Sequence, residues 1–414
     1  MTANESKYMI EAFDIAFSHF GRTSLNPSIG AVIVKEGKVL SSGGTCPFGG
    51  DHAEVTAIKT AEKTHGSKSE KMLKGASMYV SLEPCSHHGK TPPCTDAIIN
   101  AGISSVYIPV LDPNPLVSGK GVSALRHAGI DVTMMNDMAG YGIDMIRPFR
   151  KSILRKKPFI IYKSAVTLDG RTATEIGDSK WISSDYSRYI VHKMRAKVDA
   201  IIIGKNTFMQ DNPTLDVRLE SFDDDIKGYF DGSSISMNGR DNYFVRSLIG
   251  SAIDEFDNPL RVVIGLPGCI NLSSPFFKDD NYLFFTNKEE LDRTLEKKDI
   301  SQADLDKINI VIIDGKSRDQ EINKILDELA LRGIMTAMLE GGSTLAGAFL
   351  DAGQIDQFIY FITPKIIGKG LNSINSMGVQ KISQSHNLHD ISSVMVKDDI
   401  VYSAYGEPYH FEMF

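Results

Sequence analysis

Strand-like apolar runs alternate with helical runs along most of this 414-residue chain, and that alternation predicts an α/β fold. A basic stretch with two prolines, RPFRKSILRKKP, interrupts the alternation near residue 150, after which it restarts. Length agrees, because one ordinary core does not grow to this size. Two α/β domains are therefore expected: residues 1–147, a linker at 148–157, and residues 158–414.

The elements follow in order. Ile10, Phe13, Phe17 and Phe20 share one helical face, so a helix is expected over 8–20. AVIVKEGKVLSSGG reads as two strands joined at Glu36-Gly37, a hairpin. Helix 52–63, strand 76–82, helix 93–102 (proline at its start, glycine past its end) and strand 104–110 come next, and VSALRHAG is a further helix. Past the break, FIIYKSAV, DAIIIG, LRVVIG, NYLFFT, INIVIID and MTAMLE read as buried strands. Residues 219–257 are acidic and Gly/Ser-rich, with Asp223-Asp224-Asp225 and no clear period, and are expected as a surface insertion or mobile loop.

Composition excludes several classes. A net charge of −7 argues against a broad nucleic-acid footprint. No run reaches the ~18 apolar residues of a membrane helix. The opening MTANESKYMI has neither a basic leader nor an apolar stretch, so no signal peptide is expected. Four cysteines in so long a chain do not make a disulfide framework. A cytoplasmic setting, with thiolates free for metal, is expected.

One constellation carries chemistry. His52-Ala53-Glu54 precedes Pro84-Cys85 and Pro93-Cys94. Zinc takes imidazole and thiolate ligands, and a catalytic site keeps three protein ligands and an open position for water. Zinc lowers that water's pKa to ~7, and a carboxylate outside the metal shell then moves the proton. His52, Cys85 and Cys94 are accordingly the expected ligands and Glu54 the proton carrier, the arrangement of zinc deaminases. Residues two apart on a helix stand about 200° apart, so His52 and Glu54 can only flank an ion lying off the first turn. Cys94 at a helix start is expected as a thiolate. His87 and His88 lie between the ligands and are expected as loop or substrate contacts, with a ligand role as the alternative. Cys46 and Cys269 lack such a context.

Eight residues, 86–93, separate the cysteines in EPCSHHGKTPPC. With GRTSLNPSIGAVIV, GGDHAE and DPNPLVSGKG, this loop resembles the deaminase half of the bifunctional riboflavin-biosynthesis deaminase-reductases. The resemblance implies a cytidine-deaminase-like domain that removes the 2-amino group of a diaminopyrimidinone ribosylamino 5′-phosphate. It also implies Asn26 as a pyrimidine contact and Lys90 as a phosphate contact. Taken alone, Asn26 in Asn-Pro is equally a turn former and Lys90 a solvated loop charge.

The second half has no G-x-G-x-x-G after its first strand, so a Rossmann site is not indicated. MLEGGSTLAGAFLDAG instead runs from a strand ending at Glu340, through two glycines, into a helix whose first N–H groups can bind phosphate. KSAVTLDGRTA, GDSKWISS, R-A-K, GKNTFMQDNPTLDVR and LEGGS resemble the reductase half of the same enzymes. That resemblance implies a dihydrofolate-reductase-like fold using NADPH. It implies cofactor contacts at Ala165, Trp181, Thr207, Asp211, Gly342, Ser343, Thr344, Leu345, Ala346, Gly347 and Ala348. The implied substrate contacts are Ser179, Arg195, Leu215, Arg218 and Glu340; guanidinium groups suit phosphate, and surface ion pairing is the alternative. Lys163, at a strand end, is a candidate to polarise the reacting oxygen. Where the family commonly has an acid after R-V-V-I/L, this chain has Gly265.

The expected partner is a small phosphorylated pyrimidine, with neither nucleic acid nor membrane involved; homo-oligomerisation stays open. Two rival readings remain at this level. One is a zinc deaminase of another nucleobase or of nucleic acid, with an inactive second domain; the other is a structural zinc in an interaction module.

Overall fold

The computed structural model describes residues 3–87, 92–230, 238–239, 241–251, 253, 255–297, 300 and 302–408. The chain divides into two compact units, Met1–Lys156 with Asn242–Ser247, and Lys157–Asp241 with Leu248–Phe414. Among the described residues, no helix is long and apolar enough to cross a membrane.

In the first unit, α1 (Ala3–His19) precedes β1 (Gly30–Lys35), β2 (Lys38–Gly44), α2 (Ala53–His65), α3 (Ser69–Leu73) and β3 (Ser77–Val80). Then come α4 (Cys94–Asn100), β4 (Ser105–Ile108), α5 (Lys120–His127), β5 (Asp131–Met134) and α6 (Ala139–Arg155). The strands order β2-β1-β3-β4-β5, with β3, β4 and β5 parallel. The β1–β2 hairpin turns at Glu36 (φ 50°) and Gly37 (φ 74°), the left-handed pair that a two-residue turn between twisted strands demands. Phe13, Phe17 and Phe20 are buried, as the helical face of α1 requires, while Ile10 is half-buried.

The stretch 148–157, expected as a linker, is instead helical as far as Arg155, with Pro148 inside α6. An internal proline costs about 3 kcal/mol. Burial of Met145, Ile146 and Phe149 beside it offsets that cost.

The second unit contains β6 (Phe159–Thr167), β7 (Arg171–Thr174), α7 (Asp185–Arg195), β8 (Ala200–Gly204), α8 (Lys205–Asp211), α9 (Asp224–Phe230) and β9 (Asn238–Gly239). After α10 (Tyr243–Gly250), whose residues as far as Ser247 belong to the first unit, follow β10 (Leu260–Ile264), β11 (Tyr282–Thr286), α11 (Lys288–Glu296), α12 (Gln302–Leu305), β12 (Ile310–Ile312) and α13 (Arg318–Leu331). The chain continues with β13 (Thr336–Glu340), α14 (Ser343–Asp351), β14 (Gln357–Thr363), β15 (Gly370–Asn372), β16 (His389–Val396) and β17 (Asp399–Tyr405). One sheet orders β12-β11-β10-β8-β13-β6-β14-β17-β16-β9, parallel from β12 to β14 and antiparallel beyond. Ile160, Ile202, Val262, Phe285, Leu326, Leu339 and Phe349 share its core.

The insertion also departs from expectation. Within 219–257, α9 and α10 form, and Ile226, Phe230, Tyr243, Phe244, Leu248 and Ile249 are buried. The acidic run occupies the first turn of α9, where negative charge suits the helix dipole, so its charge hid a helix rather than marking a loop.

Candidate active sites

His52, Cys85 and Cys94 present one nitrogen and two sulfurs that all lie within 4.8 Å of one another. His52 is not in the helix. It caps α2 in extended backbone (φ −75°, ψ 162°), and its carbonyl accepts the Thr56 N–H at 2.9 Å. The helical angle between His52 and Glu54 therefore does not apply: the imidazole reaches from off the helix end while Glu54 lies buried in the first turn. Nδ1 of His52 is 3.5 Å from Cys85 Sγ and 3.3 Å from Cys94 Sγ. Cys94 opens α4 after Pro93.

The helix start favours the other cysteine. Cys94 N–H donates to Cys85 Sγ at 3.3 Å, and the hydrogen bond from the Cys94 thiol, with that of His52, brings Cys85 down to about 4. The same thiol contact, with burial, pushes Cys94 up. The His52 imidazole beside them has its own pKa raised chiefly by its bond to Cys85. This donor set of one imidazole and two sulfurs would suit a divalent zinc ion, which takes cysteine as thiolate. Burial pushes the Glu54 carboxyl up to about 7, and the Cys85 thiolate adds to the push.

A cavity of about 290 Å³ opens onto these groups, lined also by Asn26, Phe48, Glu83, His87, Asp112, Asn114 and Phe149. Asn26 thus reaches the cavity, in a turn where its N–H donates to Thr23 O at 2.7 Å. Burial raises Asp112 to about 6. Lys90 and His88 lie outside the described residues.

In the second unit Glu340 with the Gly341-Gly342 turn, and α8 with Thr207, stand at the carboxyl ends of the parallel strands β13 and β8, where open α/β sheets bind ligands, while Lys163, expected at a strand end, lies mid-strand in β6. Glu340 closes β13 beside Lys163 of β6, and Ala165 lies two residues further on. Arg195 grips Glu340 with two bonds of 2.8 Å and gives a third, at 3.1 Å, to Asp216 O. Its two-point fork therefore faces a carboxylate, not a free phosphate. Burial would raise Glu340, but Arg195 and then Lys163 outweigh it and hold the carboxyl down to about 2. Burial lowers Lys163, against the pull of Glu340.

Arg218 is the more available guanidinium: its side chain is half-exposed, with Nη1 on Thr214 Oγ1 at 3.0 Å. Leu215 is buried with a left-handed backbone (φ 53°), a conformation costing about 1–3 kcal/mol for such a residue.

Thr207 of α8 stands against the Gly341-Gly342 turn; a Cβ on Gly341 would lie 3.1 Å from its Cγ2. Of the run after that turn, Gly342 and Thr344 are exposed and Ser343 and Ala348 half-buried, but Leu345, Ala346 and Gly347 are buried, and Leu345 and Ala346 belong to the sheet core. Asp211 ends α8 near enough to Lys180 to feel its charge. Ser179 and Trp181 lie exposed between β7 and α7. Opposite Gly265, Lys205 packs across the missing side chain and pairs with Glu290, so an acid enters from α11 instead.

Comparison with known proteins places both halves. Residues 158–402 match the RibD C-terminal domain, and residues 2–110 match the cytidine and deoxycytidylate deaminase zinc-binding region. The riboflavin biosynthesis protein RibD of Aquifex aeolicus is 35% identical over 402 residues, 96% of this chain and 97% of the relative. The chain belongs to the RibD family. RibD of Escherichia coli is 31% identical over 91% of this chain and 93% of its own length. The diaminohydroxyphosphoribosylaminopyrimidine deaminase/5-amino-6-(5-phosphoribosylamino)uracil reductase of Thermotoga maritima superposes with a TM-score of 0.75 at 31% identity, over 97% of this chain and 98% of that one. RibD of Acinetobacter baumannii gives 0.71 at 26% identity, over 97% and 98%.

Sequence reading of this RibD-family chain missed two buried side chains that build the sites. Glu83 accepts the N–H groups of Asp112 (3.0 Å), Gly119 (2.9 Å) and Val122 (3.1 Å), tying the 112–122 segment to the loop that carries Cys85. Its place two residues before Cys85 was the available signal. His192, one turn before Arg195, accepts the Arg218 N–H at 3.1 Å and is brought down to about 3 by burial and the nearby guanidinium groups; no sequence pattern marked it.

Proposed function

We propose that this chain performs two steps of riboflavin biosynthesis: hydrolytic deamination of a 2,5-diamino-6-ribosylamino-pyrimidinone 5′-phosphate, then NADPH-dependent reduction of its ribosyl group to ribityl. The convergence of His52, Cys85 and Cys94 beside buried Glu54 is the observation that carries the reading. Held by those three side chains, zinc supplies the Lewis acidity that makes water a nucleophile near neutral pH. Glu54 takes the proton released as water adds to the ring carbon bearing the 2-amino group, and returns a proton to the departing amine, which leaves as ammonia. A carboxyl pushed up to about 7 suits both transfers. Asn26 orients the pyrimidine from the cavity wall, and Lys90 takes the phosphate. The setting proposed is the cytoplasm, where reducing conditions keep cysteines available to a metal.

In the reductase half, NADPH supplies the hydride to the sugar's C1. Thr207, Asp211, Ala165, Trp181 and the backbone at Gly342, Ser343 and Thr344 position the cofactor. Leu345, Ala346 and Gly347 contribute through the packing beneath that helix start rather than through their side chains. Ser179, Leu215 and Arg218 hold the substrate, with Arg218 on its phosphate. Arg195 and Glu340 form the charged floor, and Lys163 polarises the reacting oxygen. Purified protein given zinc, NADPH and the diaminopyrimidinone phosphate is expected to release ammonia and consume NADPH. Silence of both signals with verified substrate overturns the reading.

A further inference from the structure

The backbone from Trp181 to Ser184 is gripped from three sides. Lys365, in the loop after β14, donates from Nζ to the carbonyls of Trp181 at 2.6 Å and Ile182 at 2.7 Å. Arg188 donates to the Ser183 carbonyl at 3.0 Å, and its guanidinium lies 4.3 Å from the centre of the Trp181 ring. Asp399 accepts the N–H and hydroxyl of Ser184 at 2.9 and 2.6 Å and the hydroxyl of Ser187 at 2.6 Å. Lys365 has a fixed base of its own. Its carbonyl accepts the Leu168 N–H at 2.8 Å, and Asp169 accepts the N–H groups of Ile367 at 3.2 Å and Gly368 at 2.7 Å.

Despite this anchoring, Trp181 is 66% exposed. A large indole left in solvent above a tightly tied backbone is unusual for a packing residue and natural for a ligand platform. Successive carbonyls of a chain diverge, so tying both requires a long arm with several donors; a lysine ammonium has three.

We propose that Lys365 is a positioning residue for the reductase half: by holding the Trp181 and Ile182 carbonyls, it presents the indole to the bound nicotinamide dinucleotide. The proposal rests on Trp181 being a cofactor contact, and its test separates the two ideas. Trp181 is the only tryptophan in the chain, so its fluorescence reports this one position.

The experiment compares the full chain with Lys365→Met and Lys365→Arg, reading tryptophan anisotropy, quenching of that emission by NADPH, and reductase kinetics. Lys365→Met is expected to lower the anisotropy and to raise both the quenching midpoint and KM for NADPH about tenfold, the loss of one charge-assisted contact. Its kcat at saturating NADPH stays within about threefold, because the anchor contributes to cofactor affinity, which saturation overcomes. Lys365→Arg restores most of the affinity. If Lys365→Met loses kcat through misfolding, Lys365→Gln, which keeps a donor on a shorter arm, takes its place with intermediate values expected. Unchanged anisotropy together with unchanged NADPH affinity overturns the anchor itself. Lowered anisotropy with unchanged affinity overturns the proposal at the other point, by removing Trp181 from the cofactor site.

Discussion

The two sites are built from different materials. In the deaminase half, four side chains carried by two short segments meet at one point: His52 and Glu54 around the start of α2, Cys85 and Cys94 around the start of α4. In the reductase half, the charged groups come from α7, β6, β13 and the loop after α8, and they largely satisfy one another before any ligand arrives. The first site is a set of donors that could hold a cation; the second is a balanced network that shapes a surface. Removing one member should therefore abolish chemistry in the first case and shift stability in the second.

The largest expected effects test the first half of that contrast. Cys85→Ser should lose zinc, read by metal analysis, and with it ammonia release. Glu54→Gln should keep zinc yet lower deamination about 10³-fold, the usual worth of a positioned proton carrier. Metal loss in Glu54→Gln would contradict its place outside the metal shell. In both variants, NADPH consumption with the deaminated intermediate supplied should remain.

The second half is tested by acid. Glu340 drops from an ordinary 4.5 to about 2 on folding, so the folded state binds its proton more weakly than the unfolded chain does. The stability this contributes is fully present above pH ~4.5 and disappears as pH falls toward ~2, a loss of about 3 kcal/mol. Urea unfolding of the wild type should show that slope, and Glu340→Gln should lack it while being destabilised near neutrality, because Arg195 is left buried without its partner. Equal slopes in the two proteins would mean that the pair is not buried as described.

Glu83→Gln is expected to give the smallest change. An amide places a donor against backbone N–H groups that now meet an acceptor, costing about 1–3 kcal/mol. Zinc should stay bound, while KM for the pyrimidine rises severalfold because Asp112 and Asn114 line the cavity. This variant behaves as a reductase-type network residue within the deaminase half, and a loss of zinc equal to that of Cys85→Ser would erase the distinction.

The same contrast governs what the sequence revealed. Metal ligands are restricted to a few residue types, so His52, Cys85 and Cys94 stand out even without a fold, and Glu54 stands out by its place two residues from His52. The parallel strands of the second unit were legible because burial on both faces leaves continuous apolar runs such as DAIIIG. The antiparallel strands β16 and β17 were not, since HDISSVMV and DIVYSAY mix polar residues among the apolar ones. Helix α6 was hidden by Pro148, and α9 by its aspartates, because both are judged by local propensity while tertiary burial decides the outcome. Arg195 was read as a phosphate ligand because its residue type suits phosphate, but its commitment to Glu340 is a contact across 145 positions that no local pattern encodes. Resemblance implied the residues of that half; the structure shows that Arg195 faces Glu340 and that Thr207 faces the Gly341-Gly342 turn.

Zinc-edge X-ray absorption on the full chain tests the central claim most directly. The expected spectrum has one nitrogen at about 2.0–2.1 Å and two sulfurs at about 2.3 Å, with a light fourth scatterer, and it should lose one sulfur or the metal altogether in Cys85→Ser. A spectrum needing four protein ligands, or one unchanged by Cys85→Ser, would place the zinc elsewhere and remove the basis for deamination at this site.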